Sequence, residues 1–385
     1  MVKIFVSTAE PSAELHAASL VRELHRQAPD CQIEAAGGSL LAGAGARLAV
    51  DMSGRAVMGF WETVHQLSFY RRALASILAN LEQDPPDALV LLDAPSFHLH
   101  LARQARRLLP SLPIIYYIAP KLWAWKKWRA RHLRRYVNRV FCIFPFEEEF
   151  FRGLSIDATY VGNPTFDHIR DLEERSAPPP EGLEADPDPR RGVLAVFPGS
   201  RDSEIKYLWP EMAAATAELR RRFPDLRVAV SLAPGMEQKR LLSLALAPTG
   251  TRFIAGSSGE ILRAASLVLA KSGTTTLEAA LLGRPMVVAY ASHPVSYFIA
   301  RAIVNSIPYF SLPNILAGRK LVPELLQDTA RAVFMAEELG KIITDPGLSG
   351  KMREELLDLR RHLGSERADQ RTSREILSLL GKGES

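Results

Sequence analysis

The stretch VLAVFPGSRDSEI, residues 193–205, decides the fold because it carries the chain from a strand into a helix. Its first five residues are apolar and β-prone, which is typical of a strand buried on both faces. The loop Pro198-Gly199-Ser200-Arg201 follows, and a helix is predicted to begin near Asp202. A buried strand that leads directly into a helix is the βα unit of a parallel sheet.

The same alternation of apolar runs and helical patterns extends in both directions and predicts two α/β domains. The predicted strands of the first half are residues 3–8, 32–36, 88–93, 114–118, 140–144 and 159–161, and those of the second half are 193–197, 227–232, 252–256, 267–271 and 286–290. We therefore predict two doubly wound, Rossmann-like domains that face a cleft.

Domain boundaries follow from composition. Residues 173–192 are dense in proline and charge and are predicted to be a linker. It separates a first domain at 1–172 from a second at 193–345. Residues 346–385 place leucines at helical spacing among charges, so we expect terminal helices there.

The composition excludes several protein classes. Of 385 residues, 47% are hydrophobic and 24% are charged, as in soluble globular proteins. Cys31 and Cys142 lie far apart in strand-like runs, which argues against a disulfide framework or a Cys-based zinc site and favours a reducing compartment. The N-terminus lacks the apolar core of a signal peptide, and no run approaches about 18 apolar residues. Any membrane contact is therefore expected to be peripheral.

The net charge of +5 has one source. Residues 121–139 contain eight Lys or Arg and no acid, so the rest of the chain is net negative. Trp123, Trp125 and Trp128 lie between these basic residues. A solvated helix face, an anionic membrane, a phosphate-bearing ligand and nucleic acid all fit such a patch, and composition does not choose between them.

Asp93 is the first candidate catalytic residue. It directly follows the apolar run 88–92, and ligands of open parallel sheets bind outside the carboxyl ends of the strands. Partial burial there raises the pKa of a carboxyl group toward that of a useful general base. The alternative is that Asp93 caps the helix predicted over residues 97–109.

Two loops of the second half are candidates for binding a diphosphate. In the first, Gly199 and Ser200 lead to Arg201, and arginine is a common phosphate partner. In the second, SGTTTLE (272–278) gathers hydroxyl and N–H groups at a predicted helix N-terminus, with Glu278 one turn further for a ribose. The alternatives are an ordinary turn and a well-capped helix.

Three other motifs point to no site. Asp186-Pro-Asp188 has the D-x-D form of metal-dependent sugar transferases but lies in the predicted linker. His98 and His100 are two residues apart on a predicted helix and so point to different faces. The chain contains no G-x-x-x-x-G-K-[ST] motif, which excludes a standard P-loop NTPase.

Eight motifs, in order along nearly the whole chain, resemble those of the lipid-A-disaccharide synthase family. They are AVMGF (56–60), DAPSF (93–97), YIAPKLWAW (117–125), FPFE (144–147), VGNP (161–164), FPGSRDSEI (197–205), SGTTTLE (272–278) and SLPNILAG (311–318). The resemblance implies an inverting GT-B transferase that joins UDP-2,3-diacylglucosamine to 2,3-diacylglucosamine 1-phosphate. Its products are UDP and the β-1,6 disaccharide of lipid A.

The resemblance also implies roles for single residues. Asp93 is the implied base, with Glu10 and Arg201 completing the catalytic set. The implied UDP site consists of Gly199, Ser200, Arg201, Ser272, Gly273, Thr274, Glu278 and Asn314. The implied acceptor and membrane side consists of Ser12, Met58, Phe60, Trp61, Lys126, Lys127 and Arg131. The apolar residues among 56–77 either hold acyl chains or belong to the core.

No metal or cofactor is expected, because arginine and a helix dipole can stabilise departing UDP. The resemblance implies a cytoplasmic enzyme bound peripherally to the inner membrane, and it leaves a homodimer open. Two departures from the family pattern stand out. The first loop reads AEPSAE (9–14) where relatives typically read GETSGD, and DAPSFH replaces the commoner DAPDFN.

Two rival interpretations remain at this point. The nearer is another UDP-sugar enzyme of the GT-B class, such as the muramyl-pentapeptide N-acetylglucosaminyltransferase or a UDP-N-acetylglucosamine epimerase. The farther is a nucleic-acid-binding protein that works through residues 121–139, which predicts steeply salt-dependent oligonucleotide binding. It leaves the two diphosphate loops unexplained, so we expect no nucleic-acid partner.

Overall fold

The computed structural model describes residues 2–52, 62–124, 127–175, 179–184, 186, 188–256, 258–293 and 308–381. The chain divides into two compact units. The first unit comprises Met1–Pro164 and Gly364–Ser385, and the second comprises Thr165–Leu363. The first boundary thus falls earlier than the predicted linker at 173–192. The predicted terminal segment 346–385 is divided between the units, because its last helix packs on the first helix of the chain, in the first unit.

The first unit is built on a parallel sheet whose described strands have the order β3-β2-β1-β4-β5-β6-β7. These strands are β1 (Lys3–Thr8), β2 (Gln32–Gly37), β3 (Arg47–Asp51), β4 (Ala88–Leu92), β5 (Ile114–Tyr117), β6 (Arg139–Cys142) and β7 (Ala158–Tyr160). The helices are α1 (Pro11–Gln27), α2 (Ser39–Gly43), α3 (Glu62–Gln83), α4 (Pro95–Leu108), α5 (Ala130–Tyr136) and α6 (Pro145–Arg152).

Both faces of this sheet are buried, as the continuous apolar runs of its strands require. Leu89 and Leu91 of β4 pack with the core that contains α3 and α4, whereas Val90 and Leu92 pack with α1 on the opposite face. Burial of each such side chain contributes about 1.5 to 3 kcal/mol. The two cores hold the carboxyl ends of the strands in a fixed arrangement.

The second unit is built on a parallel sheet whose described strands have the order β10-β9-β8-β11-β12-β13. These strands are β8 (Val193–Phe197), β9 (Arg227–Leu232), β10 (Arg252–Ala255), β11 (Leu267–Lys271), β12 (Met286–Tyr290) and β13 (Glu324–Leu326). The helices are α7 (Pro164–Glu174), α8 (Asp202–Arg222), α9 (Gln238–Leu242), α10 (Ser258–Ala264), α11 (Thr274–Leu281), α12 (Leu312–Ala317), α13 (Ala332–Thr344) and α14 (Pro346–His362).

The terminal helices expected from leucine spacing are present. Leu356 and Leu359 of α14 are buried, and α14 packs on α11 in the second unit. The last helix, α15 (Ala368–Leu379), packs on α1 in the first unit and buries Ile376. No helix of the described residues is long and apolar enough to cross a membrane.

Candidate active site

In the first unit, the candidate residues lie where the strand order reverses. Strands β1 and β4 are neighbours in the sheet although they are not neighbours in the chain, so the loops after them leave in opposite directions. Such a switch point is the usual ligand site of a doubly wound sheet. Glu10 follows β1 and Asp93 follows β4, so the topology brings these two predicted residues to the same edge.

The backbone at Asp93 is strained. Asp93 and Ala94 have φ angles of 52° and 43°, and two successive left-handed residues without glycine are uncommon. The Asp93 carbonyl accepts hydrogen bonds from Tyr116 Oη at 2.5 Å and from His98 Nδ1 at 2.8 Å. Ala94 is the N-cap of α4, so Asp93 lies one residue outside the cap position. The turn leaves its carboxyl group available for chemistry.

His98 connects this turn to the core. Because Nδ1 donates to the Asp93 carbonyl, Nε2 is the acceptor, and the Ser7 hydroxyl lies 3.0 Å from it. His98 is fully buried, whereas His100 is exposed, in agreement with the prediction that the two rings point to different faces. No sequence motif indicated that His98 holds the Asp93 turn.

The surroundings of the Asp93 carboxyl group raise its pKa. Burial raises its pKa, and the nearby negative charge of Glu10 raises it further. A hydrogen bond from the Ala94 N–H and the charge of Lys121 oppose this rise. A carboxylate with a raised pKa is a stronger base, so this group is a candidate general base.

The altered first loop has an internal structural role. Glu10 is exposed and is the N-cap of α1. Glu14 Oε1 accepts the backbone N–H groups of Leu40 at 2.9 Å and Leu41 at 3.4 Å, and so caps the start of α2. Ser12 lies in α1, and its side chain is outside the described part of the structure.

In the second unit, the two predicted diphosphate loops flank the switch point between β8 and β11. Gly199 has φ of +106°, a conformation that favours glycine and brings the backbone close to any ligand. Ser200 is exposed, and the Arg201 side chain is 74% exposed and lies 3.6 Å from Glu204. The Arg201 guanidinium is therefore accessible to an anion.

Lys271 is a functional candidate that the sequence analysis missed. It ends β11, its Nζ lies 3.0 Å from Glu204 Oε2, and its stem lies beside Gly199. A charged residue at the end of an otherwise apolar strand was the available signal. The ion pair holds an ammonium group next to the loop that carries Arg201.

The second loop starts α11. Gly273 is the N-cap of this helix, Thr274 is its first residue, and Thr276 Oγ1 donates to the Gly273 carbonyl at 2.7 Å. Ser272 Oγ donates to the Phe310 carbonyl at 2.8 Å. Glu278 accepts from Ser258 Oγ at 2.6 Å, which fixes its carboxylate. The helix N-terminus offers N–H groups to an anion.

Asn314 has a structural role in the second unit. Its side chain is fully buried, and Oδ1 accepts from the backbone N–H groups of Leu321 at 2.7 Å and Val322 at 3.0 Å. Nδ2 donates to the Val322 carbonyl at 3.0 Å. These bonds hold the segment after α12, and the assignment of Asn314 to the nucleotide stays a prediction.

The basic segment is divided between core and surface. Trp123 is buried and donates to Glu147 Oε1 at 2.8 Å, whereas Trp128 is 57% exposed and Lys127 and Arg131 are exposed. Met58, Phe60, Trp61 and Lys126 lie outside the described residues. Of the region 56–77, Ala73 and Ile77 belong to the core and Phe69 packs against it.

The chain matches the family model described as Lipid-A-disaccharide synthetase over residues 4–376. It is 34% identical over 383 residues to the lipid-A-disaccharide synthase of Geobacter sulfurreducens, covering 99% of this chain and 98% of that protein. The synthase of Myxococcus xanthus gives the same identity and coverage.

Two solved structures show the fold. One is the MnaA–UDP co-structure from S. aureus, with a TM-score of 0.70 at 12% identity, covering 99% of this chain and 98% of that one. The other is UDP-GlcNAc 2-epimerase from Neisseria meningitidis bound to UDP-GlcNAc, with a TM-score of 0.65 at 14% identity, covering 99% and 100%. The predicted class of two doubly wound α/β domains, GT-B, is confirmed.

Proposed function

The chain belongs to the lipid-A-disaccharide synthase family, and from that membership we propose a role for each candidate loop. The enzyme transfers 2,3-diacylglucosamine from UDP-2,3-diacylglucosamine to 2,3-diacylglucosamine 1-phosphate, which yields the β-1,6 disaccharide 1-phosphate and UDP. Relatives of this activity match the full length at 34% identity, whereas the epimerase structures share only the fold. The epimerase alternative is therefore not favoured.

Asp93 is the proposed base. It takes the proton from the acceptor 6-hydroxyl as that oxygen bonds to the donor's anomeric carbon, while the bond from that carbon to the UDP oxygen breaks. The observation that supports this role is the turn itself, because Tyr116 and His98 hold the Asp93 backbone in a strained conformation at the switch point. Glu10 contributes negative charge that raises the pKa of Asp93.

The second unit is proposed to bind the UDP part of the donor. Arg201 and Lys271 supply positive charge beside the Gly199 turn, and the N-terminus of α11 supplies N–H groups. Charge and donors placed there stabilise the negative charge that develops on the leaving diphosphate. Glu278, held by Ser258, is proposed to accept from the ribose hydroxyls.

Calorimetry with UDP tests this nucleotide site. We expect Arg201→Ala, Lys271→Met and Glu278→Ala each to weaken UDP binding by about 1 to 3 kcal/mol, the usual loss for a hydrogen bond to a charged partner. Lys351→Met removes one exposed charge from α14 and is the matched control, with no expected effect. Unchanged UDP affinity in all three site variants would place the nucleotide elsewhere.

We also propose that the first unit docks on the cytoplasmic face of the inner membrane through residues 121–139. Support comes from the exposed Lys127 and Trp128, because a tryptophan among basic residues suits an anionic lipid interface. Both substrates are acylated, so they reside at such a surface.

Sedimentation velocity on the purified protein distinguishes a monomer from the homodimer that the sequence left open.

A further inference from the structure

The first unit contains a cationic cavity outside the loops described above. It lies on α4 and α5, has a volume of about 510 Å³, and is lined by Arg103, Arg131, His132, Arg134, Arg135 and Tyr136. We call it the arginine cavity. No acidic residue is among its lining residues, although four of them are arginines.

The charges of the arginine cavity are not balanced within the described part of the chain. None of its four guanidinium groups forms an ion pair with a described carboxylate, and Arg103 Nε and His132 Nδ1 are buried without a hydrogen-bond partner there. Burial and the charges of Arg131, Arg103 and Arg129 lower the pKa of His132. Four like charges that line one cavity repel each other, and a bound anion would reduce that repulsion.

Phosphate is the anion that this chemistry fits best. A guanidinium group donates two parallel N–H bonds to phosphate oxygens, so several arginines on two helices can surround one dianion. A phosphate monoester carries close to two negative charges near neutral pH and presents three acceptor oxygens. The cavity is larger than a phosphate group alone, which leaves room for the sugar that carries it.

A second cavity shares lining residues with the arginine cavity and reaches the start of α4, directly after the Asp93 turn. It has a volume of about 190 Å³, shares Arg103 and His132 with the larger one, and is also lined by Pro95 and Ser96, which follow Asp93-Ala94. Along α4, Pro95 and Arg103 are about 12 Å apart at 1.5 Å per residue. Helical side chains generally lean toward the N-terminus of their helix, and Arg103 lines the same cavity as Pro95 at the start of α4.

We propose that the arginine cavity binds the phosphate of the acceptor and thereby places the acceptor's hydroxyl at Asp93. This inference rests on the proposed role of Asp93 in the first unit. A membrane phospholipid headgroup also carries a phosphate, so the experiments must distinguish the acceptor phosphate from a lipid phosphate. Arg131, Arg134 and Arg135 belong both to this cavity and to the basic segment 121–139 proposed to face the membrane, whereas Arg103 lies outside that segment.

Binding of soluble probes tests the cavity without turnover. The probes are inorganic phosphate and glucosamine 1-phosphate. Calorimetry measures their affinities, and the NMR signal of His132 reports binding because a bound anion raises the pKa of His132. We expect Arg103→Gln and Arg135→Gln each to weaken both probes at least tenfold. Arg107→Gln removes one exposed charge from the same helix without touching the cavity, and we expect a change below twofold. Equal affinities of the wild type and all three variants for the probes would overturn the proposal.

Kinetics in detergent and vesicle sedimentation identify the source of the phosphate. For Arg103→Gln and Arg135→Gln we expect a rise of at least tenfold in KM for the acceptor, with kcat within a few fold and unchanged UDP affinity. For Arg103→Gln, which lies outside residues 121–139, we also expect unchanged sedimentation with phosphatidylglycerol vesicles. Loss of sedimentation with an unchanged KM would assign the cavity to lipid headgroups and overturn the acceptor assignment. Asp93→Asn is expected to bind both probes normally, so failure of the base assignment is distinguishable from failure of the cavity.

Discussion

At the scale of single residues, the turn at Asp93 stores conformational strain. Left-handed φ angles at two residues without glycine cost of the order of 1 to 3 kcal/mol each. Hydrogen bonds from Tyr116 and His98 to one carbonyl offset part of that cost. Because Ser7 supports His98 from β1, the strained turn is tied to the neighbouring strand.

Removing these donors should impair turnover more than nucleotide binding. We expect His98→Leu to lower the free energy of unfolding by about 1 to 3 kcal/mol, because it leaves the Ser7 hydroxyl and the Asp93 carbonyl with one partner fewer. The kcat should fall while UDP affinity stays the same, and Tyr116→Phe should have a smaller effect in the same direction. Urea unfolding, steady-state kinetics and calorimetry measure the three quantities, and a normal kcat in both variants would contradict the positioning role.

At the scale of elements, Glu147 links the loop after β5, which contains Trp123, to the start of α6. Its Oε2 accepts the backbone N–H groups of Ile143 and Phe144 ahead of α6, and its Oε1 accepts from the Trp123 indole. Burial raises the pKa of Glu147 to about 7, and the three hydrogen bonds limit that rise. One carboxyl group therefore holds the end of the YIAPKLWAW loop against α6.

The raised pKa of Glu147 predicts a pH-dependent contribution to stability. The folded state retains a proton that the unfolded state loses near pH 4.5, so this contribution is full below that pH and is lost as pH rises toward about 7. We expect the stability advantage of the wild type over Glu147→Gln to shrink by about 2 to 3 kcal/mol over this range. Urea unfolding at several pH values measures it, and an advantage that grows with pH would contradict the assignment.

The strand cores were predictable because their residues are apolar without interruption. Residues 3–8, 193–197, 227–232, 267–271 and 286–290 are strands with the predicted bounds. Two strands were missed for physical reasons. Strand β3 (Arg47–Asp51) is a partly exposed edge strand with charged ends, and β13 (Glu324–Leu326) has only three residues. Neither produces an apolar run.

The candidate sites were predictable only where they follow a strand directly. Asp93 directly follows β4 and Arg201 lies in the short loop after β8, so the apolar strand runs locate both without a structure. The pairing of Lys271 with Glu204 and the contact of His98 with the Asp93 carbonyl depend on how distant segments meet. Sequence patterns carry no such distances. The arginine cavity likewise arises from two helices, and the sequence showed only that one of them is basic.

At the scale of the whole molecule, the membrane association that we propose depends on surface charge. We expect Lys126→Glu/Lys127→Glu to lose sedimentation with phosphatidylglycerol vesicles and to keep turnover of detergent-dispersed substrate within a few fold. Wild-type sedimentation should weaken with salt, because the Debye length falls from about 10 Å at 0.1 M to about 3 Å at 1 M. Lys239→Glu/Lys351→Glu makes the same charge change on exposed residues of the second unit and should sediment normally. Sedimentation of both double variants would rule out residues 126 and 127 as the docking site.

Both units place candidate ligand loops at the switch point of a parallel sheet, and we propose proton transfer in the first unit and UDP binding in the second. Single-turnover kinetics of Asp93→Asn, with calorimetry of UDP on the same sample, test this division most directly. Asparagine keeps the shape of the side chain and removes the base. We predict that the chemical step slows by about 10² to 10⁴ fold and that UDP affinity is unchanged. Turnover at the wild-type rate would contradict the assignment of Asp93 as the base.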